Sequence, residues 1–269
     1  MKIHLASDLH FEINNMPTIN FKGPIGADIL ILAGDIFCTR HHYLRRTDAE
    51  SRSQKRTLQK FAQTFFPAYN DVFFIAGNHE SYGDDITNQT IVLKEILEPY
   101  KNVKVFENDF TTRGDFLFFG ATFWTDCRHN PNTELIVQNT MNDYKQIRTS
   151  DKTKFTVKDS ISKHNYSYDE LKNVLNIHGE SYKPVIMTHH APCIYSVHPR
   201  ERTREDSYAY FSDMSNFIFD YEPILWVCGH THYSVEYMIG NTRIVSNCYG
   251  YRGIDRSIRE KFSFKEIEI

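Results

Sequence analysis

Residues of metal-ligand type recur in five short clusters along this chain: Asp8 and His10; Asp35; Asn78 and His79; His189, followed by His190; and His230 and His232. In Asp8-x-His10 and His230-x-His232 the two side chains are two residues apart, on the same side of an extended backbone. One short segment then supplies two converging groups. Imidazoles, carboxylates and one amide, without thiolate, suit borderline divalent ions such as Mn, Fe, Zn or Co. Two such cations close together need a shared anionic ligand, which an aspartate provides. Paired metals about 3.5–4 Å apart orient an ester, lower the pKa of bound water and stabilise charge in an in-line displacement.

The elements that must position these groups have a common form. Runs 2–6, 29–33, 72–76, 185–187 and 224–228 are short, apolar and unalternating, as in strands buried on both faces. Each ends in one of the five clusters. In open α/β sheets, sites assemble at the C-terminal ends of the strands. Helical spacing lies between the runs, over 51–66, over 88–97 before Pro99, and over about 160–178 with Gly179 closing the last. Segments 235–239 and 242–246 flank Gly240-Asn241, a hairpin signal. Segments 116–119 and 262–269 read as further strands. The expected class is α/β, with two layers of sheet flanked by helices, and no repeat or linker divides residues 1–269, so one domain is expected.

Each cluster alone is common; the five in order, each behind a strand-like run, are not. Asp8-Leu9-His10, Gly34-Asp35, Gly77-Asn78-His79-Glu80, His189-His190 and Gly229-His230-Thr231-His232 resemble the ordered blocks of the calcineurin-like metallophosphoesterases, over roughly residues 3 to 250. Gly120 to Asp126 and Met141 to Tyr144 are similar to stretches of prokaryotic and phage-type members. The resemblance implies a four-layer α-β-β-α fold of two packed sheets, with a dimetal site at the strand C-terminal ends. It implies that Asp8, His10 and His232 hold the first metal, that Asp35 bridges and is catalytic, and that Asn78, His189 and His230 hold the second. His79 resembles the histidine that reaches the phosphate or protonates the leaving group. His190 either contacts substrate, supports the ligands or packs; Glu80 either orients His79 or caps the next turn. The implied cofactors are two divalent ions, Mn first, with Fe, Zn, Co or Ni as alternatives. The implied reaction is direct attack of a metal-bridging hydroxide on phosphorus.

Departures from known branches narrow the substrate. The stretch after Gly34-Asp35 lacks the Asp-Arg-Gly ending of Ser/Thr protein phosphatases, and Cys38 stands where the repair nucleases have aspartate. Arg45 and Arg46, within an Arg- and His-rich stretch over 40–56, are candidates to hold phosphate through bidentate contacts. A second stretch, 195–210, carries His198, Arg200, Arg202 and Arg204 among tyrosines, and such a loop can also stack a base. Trp124 and Tyr144 are candidates to line the cleft, the alternative being core packing. The expected partner is a small phosphomonoester or phosphodiester such as a nucleotide.

Bulk properties set the outer limits. The 269 residues are 41% hydrophobic and 24% charged, with a net charge of −3. No global field draws the chain to duplex nucleic acid or membrane, and no apolar run approaches the roughly 18 residues that span a bilayer. The aspartate at position 8 interrupts any leader-like apolar segment. Five scattered cysteines with no paired spacing read as small buried hydrophobes in a reducing compartment, so a cytoplasmic protein is expected. Two other readings keep the same fold: a binding scaffold without turnover, which would be expected to lose ligands, and a single-strand nuclease, which needs a basic groove.

Overall fold

A strand that is apolar at every position needs cover on both faces, and the computed structural model shows what provides it. It describes residues 1–14, 27–41, 49–251 and 262–269. The first part of the chain runs β1 (Lys2–Ala6), β2 (Ile29–Ala33), α1 (Ala49–Phe65), β3 (Asp71–Ile75), α2 (Gln89–Leu97) and β4 (Val103–Phe106). Then come β5 (Asp109–Arg113), β6 (Phe116–Ala121), α3 (Pro131–Thr140), α4 (Asp143–Gln146) and α5 (Val157–His178). The last part is β7 (Lys183–Thr188), α6 (Ser215–Tyr221), β8 (Leu225–Cys228), β9 (Glu236–Ile239), β10 (Thr242–Ser246) and β11 (Lys265–Glu268).

Two sheets form, in the orders β11-β1-β2-β3-β4 and β5-β6-β7-β8-β10-β9. Strands β1 to β4 are parallel, as are β6, β7, β8 and β10; β11, β5 and β9 are antiparallel edge strands. Alternation within each strand assigns its apolar side chains to two different layers. Ile29, Ile31 and Ala33 meet Val185, Met187, Leu225 and Val227 of the other sheet in a central layer. Leu30 and Leu32 face outward against Leu58, Phe61 and Phe65 of α1 and Leu93 of α2. On the far side, Phe119, Ile186 and Trp226 pack against Leu171 and Leu175 of α5 and Phe217 of α6. The result is four layers, α-β-β-α, as expected.

Register brings the C-terminal ends of the key strands to one rim. Ala33 lies opposite Ile75 and Ala6 opposite Leu32 in the first sheet, and Met187 lies opposite Val227 in the second. All five cysteines are buried and unpaired, and burial raises the Cys127 and Cys228 thiols to about 12, which suits packing. Among the described residues no helix is long and apolar enough to cross a membrane.

Several boundaries differ from expectation for local reasons. Helix α5 begins at Val157, earlier than the apolar spacing suggests, because Thr156 and Asp159 form a capping box there. Gly179 follows α5 with φ −62°, so its lack of a side chain is used for closeness instead: a Cβ would stand 2.5 Å from the Leu175 carbonyl oxygen. The expected strand over 262–269 is regular only at Lys265–Glu268. Strands β4 and β5 and helices α3, α4 and α6 lie outside the elements anticipated from the sequence. The capping box gives a direct check: Thr156→Ala is expected to lower unfolding stability by about 1 kcal/mol in chemical denaturation.

Candidate metal centre

Every candidate ligand sits just past a strand end, where the chain must turn sharply to aim a side chain back over the rim. Asp8, His10, Asp35, His230 and His232 do this with φ between 47° and 67°, the left-handed region that non-glycine residues avoid. Strain of this kind persists where the surroundings over-determine it, and here they do. Both oxygens of Asp8 accept the His230 amide, at 3.0 and 3.2 Å. The Ser7 hydroxyl donates to Asp8 Oδ2 at 2.5 Å. The bonds from the His230 amide tie the first sheet's rim to the second.

The side chains converge in two groups joined by a third, His10, Asp35 and His79, whose ligand atoms also lie within 4.8 Å of one another. Asp8, His10 and His232 bring one ligand atom each within 4.8 Å of one another, and so do Asp35, His189 and His230. Asp35 Oδ1 lies 3.4 Å from His189 Nε2, whereas Oδ2 lies 3.8 Å from His10 Nε2. Each oxygen of Asp35 therefore faces a different group. On the first side, His10 Nε2 is 3.0 Å from His232 Nε2, which is 3.6 Å from Asp8 Oδ1. On the second, Asn78 Oδ1 is 3.0 Å from His189 Nε2.

These groups fit a pair of cations on their own chemistry. His189 Nδ1 lies 2.9 Å from the Ala33 carbonyl and must donate to it, so a neutral ring turns the lone pair of Nε2 toward the oxygens of Asn78 and Asp35. His10 Nδ1 is likewise spent on the Glu12 carboxylate at 3.0 Å. His230 Nε2 is buried with no hydrogen-bond partner. Lone pairs that face one another in a buried space are held together by positive charge. Consistently, burial opposes protonation of His189, but the Asp35 charge and hydrogen bond outweigh it and raise the group to about 9. Burial pushes Asp35 upward, yet the charges of His189, His79 and His10 hold it well below the usual carboxylate range.

Three acids that sequence reasoning left aside or misplaced support this arrangement. Glu80 neither orients His79 nor caps the following turn; its carboxylate accepts the amides of Asp35 (2.9 Å), Ile36 (2.8 Å), Phe37 (3.2 Å) and Gly77 (2.6 Å). It clamps two ligand loops together from beneath. Asp143 accepts from Asn78 Nδ2 and from the Tyr82 hydroxyl, both at 2.7 Å, which fixes the Asn78 amide with its oxygen toward His189. Glu12 Oε1 lies 3.0 Å from His10 Nδ1 and 2.8 Å from His79 Nδ1. Burial would raise Glu12, but bonding to both rings lowers it to about 2. The cue was spacing: Glu12 extends Asp8-x-His10 by the same step of two.

The other expected site residues are placed differently. His190, 2% exposed, has its ring 4.2 Å from that of His230 and Nδ1 3.1 Å from the Thr122 carbonyl; burial and the His189 charge lower it to about 3. It is a neutral wall residue. Trp124, also 2% exposed, packs on Phe155 and His190, so its link to the centre runs through His190, and it lines a cavity with Ile86, Gln89 and Lys163. Tyr144 is buried in the same apolar cluster. Arg45 and Arg46 lie outside the described residues. In the 195–210 stretch Arg202 donates to the Val197 and Tyr195 carbonyls and Arg204 pairs with Asp206 and Glu201, so both are engaged within their own loop.

Comparison with known proteins gives three findings. A family profile described as calcineurin-like phosphoesterase matches residues 1–234. The chain is 27% identical to uncharacterized protein L509 of Acanthamoeba polyphaga mimivirus over 274 aligned positions, covering 93% of this chain and 91% of that one. Among solved structures it is similar to the phosphopantetheinyl hydrolase of Mycobacterium tuberculosis, with a TM-score of 0.61 at 16% identity, covering 95% and 93% of the two chains.

The clamp beneath the centre is open to test. Glu80→Gln places an NH₂ against backbone donors, and a buried donor without an acceptor costs roughly 1–3 kcal/mol. The variant is expected to unfold at lower denaturant and to bind Mn²⁺ more weakly in titration calorimetry; unchanged metal affinity would show that the Asp35 loop holds itself.

Proposed function

Because this chain belongs to the calcineurin-like phosphoesterase family, we propose that it is a hydrolase of small phosphate esters that works with two divalent metal ions. Asp8, His10 and His232 would hold one ion, Asn78, His189 and His230 the other, and Asp35 would be shared. When bound, such a pair activates water and neutralises phosphate oxygens. The thiolate-free donors suit Mn, Fe, Zn or Co, and manganese is the ion to test first. The observation that carries the reading is the division of Asp35, whose two oxygens face different ligand groups.

The chain's own residues supply the rest. His79 donates its backbone amide to Asp35 Oδ1 at 2.8 Å, so acid and bridge are set by one bond. Its ring stacks on Tyr82 with centroids 4.0 Å apart, and its Nδ1 is bound to Glu12. Nε2 is thereby the nitrogen through which the ring can pass a proton, with the Tyr251 hydroxyl 3.0 Å from it. Burial opposes protonation of His79, but Asp35 and Glu12 outweigh it and raise the group to about 9, so the ring carries a proton to give to the departing oxygen.

The donor set is complete and the acid is oriented, which favours turnover over a silent scaffold. A net charge of −3 gives no support to a nuclease acting on long single strands. The nucleotide form of the substrate rests on arginine loops: Arg202 and Arg204 of one are engaged within that loop, and Arg45 and Arg46 of the other lie outside the described residues. The proposal therefore rests at a small monoester or diester.

Metal-stripped protein should regain hydrolysis of p-nitrophenyl phosphate, bis-p-nitrophenyl phosphate or both when Mn²⁺ is returned. Asp35→Asn should lose nearly all turnover and bind the metal more weakly. Turnover that survives chelation, or full activity in Asp35→Asn, would overturn the assignment; the preferred ester separates monoesterase from diesterase.

A further inference from the structure

We propose that Tyr251 is a catalytic residue: its phenol hydroxyl, seated on His79 Nε2, contacts the leaving oxygen of the ester and delivers the proton to it. The inference rests on the hydrolase reading above and adds to it the group that touches the departing alcohol.

The geometry comes from two directions. Around His79 every other side is taken: Nδ1 is bound to Glu12, one face is stacked on Tyr82, and the His10 ring stands 4.5 Å away. The Tyr251 hydroxyl lies 3.0 Å from Nε2, the remaining nitrogen. A proton leaving Nε2 meets that oxygen first. The Tyr251 ring meanwhile lies over the first ligand group, with centroids 4.6 Å from His10 and 4.5 Å from His232. The same phenol thus touches both the acid, through its hydroxyl, and two candidate ligands, through its ring.

The position of Tyr251 is built into the fold. The Tyr249 amide donates to the Ser7 carbonyl at 3.0 Å, and the Gly250 amide to the Asp8 carbonyl at 2.9 Å. Asn14 Nδ2 donates to the Gly250 carbonyl at 2.8 Å, and Gly250 takes φ +80°, a turn suited to glycine. The segment bearing Tyr251 is thus fastened to the loop that carries Asp8 and His10.

The step balances without further reagents. Water oxygen forms a bond to phosphorus as the bond from phosphorus to the leaving oxygen breaks. That oxygen takes the Tyr251 hydroxyl proton, the phenol oxygen takes the proton of His79 Nε2, and the proton lost by water restores His79 at the end of the cycle.

Leaving groups separate this role from a structural one. An aryl ester departs as a stabilised phenolate and needs little protonation, whereas an alkyl ester needs the acid. Mn²⁺-loaded wild type, Tyr251→Phe and His79→Ala would be compared on p-nitrophenyl phosphate and on glycerol phosphate, by phosphate release. Phenylalanine keeps the ring over His10 and His232, so folding and metal content are controls. General acids contribute about 10²–10⁴-fold. Tyr251→Phe is expected to lose at least about 100-fold in kcat on glycerol phosphate and only a few-fold on p-nitrophenyl phosphate, with His79→Ala showing the same pattern. Equal losses on both esters, or none on glycerol phosphate, would overturn the role of Tyr251. The selective loss in His79→Ala alone would leave the hydrolase reading standing and remove Tyr251 from it. A wild type active only on aryl esters, bis-p-nitrophenyl phosphate included, has no acid to relay and overturns the proposal; one active on none of these esters removes the underlying reading.

Discussion

A single buried carboxylate among imidazoles sets the terms for this molecule. Asp35 is 1% exposed and has His10, His79 and His189 within about 4 Å of its oxygens. A charge taken out of water is tolerated only when it is paired and hydrogen-bonded. Asp8, Glu12, Glu80 and Asp143 lie in the same region, and their mutual repulsion has to be met by imidazoles, backbone amides and whatever cations the site recruits. The backbone amides are the fixed part of that supply. Four of them converge on Glu80, and His230 gives one to Asp8.

The two sheets make this density of charge achievable. Parallel strands joined through helices end at one rim, and the facing rim of a second sheet supplies the complementary groups. Close approach is needed where the rims meet, and glycine permits it. A Cβ at Gly77 would stand 2.1 Å from Asp35 Oδ1, and one at Gly229 would stand 2.8 Å from the Ala33 carbonyl and 2.9 Å from Asp8 Oδ2. The glycines of the sequence blocks are therefore steric requirements of the site, set by atoms of other loops.

That division also explains what could be read from the residues alone. Strands 29–33 and 224–228 announce themselves because burial on both faces leaves them no polar position, and the ligands follow at once; 2–6 does so less cleanly, with Lys2 and His4 interrupting it. Strand β5, Asp109–Arg113, carries the sequence DFTTR at the edge of a sheet, half exposed, so nothing in its pattern separates it from a loop. Helix α3 starts from an Asn130 cap and is weakly amphipathic, with Leu135 exposed. At the site, groups that point at one another through a short motif were visible, and those that act across the fold were not. Glu80 reaches a loop 45 residues away and Asp143 an amide 65 residues away, distances no local spacing encodes.

The left-handed backbone at Asp8, His10, Asp35, His230 and His232 has a consequence for how such a chain changes over generations. These positions hold the candidate ligands in a conformation that costs backbone energy. Asparagine and glycine adopt that conformation more readily, so replacing a histidine there relieves strain in the same stroke that removes a donor. A duplicate copy freed from selection for turnover would drift at these positions early and gain robustness as it lost its chemistry. Five such positions in one chain mean that the rim is held in shape by its hydrogen bonds and packing, since the backbone alone does not favour it.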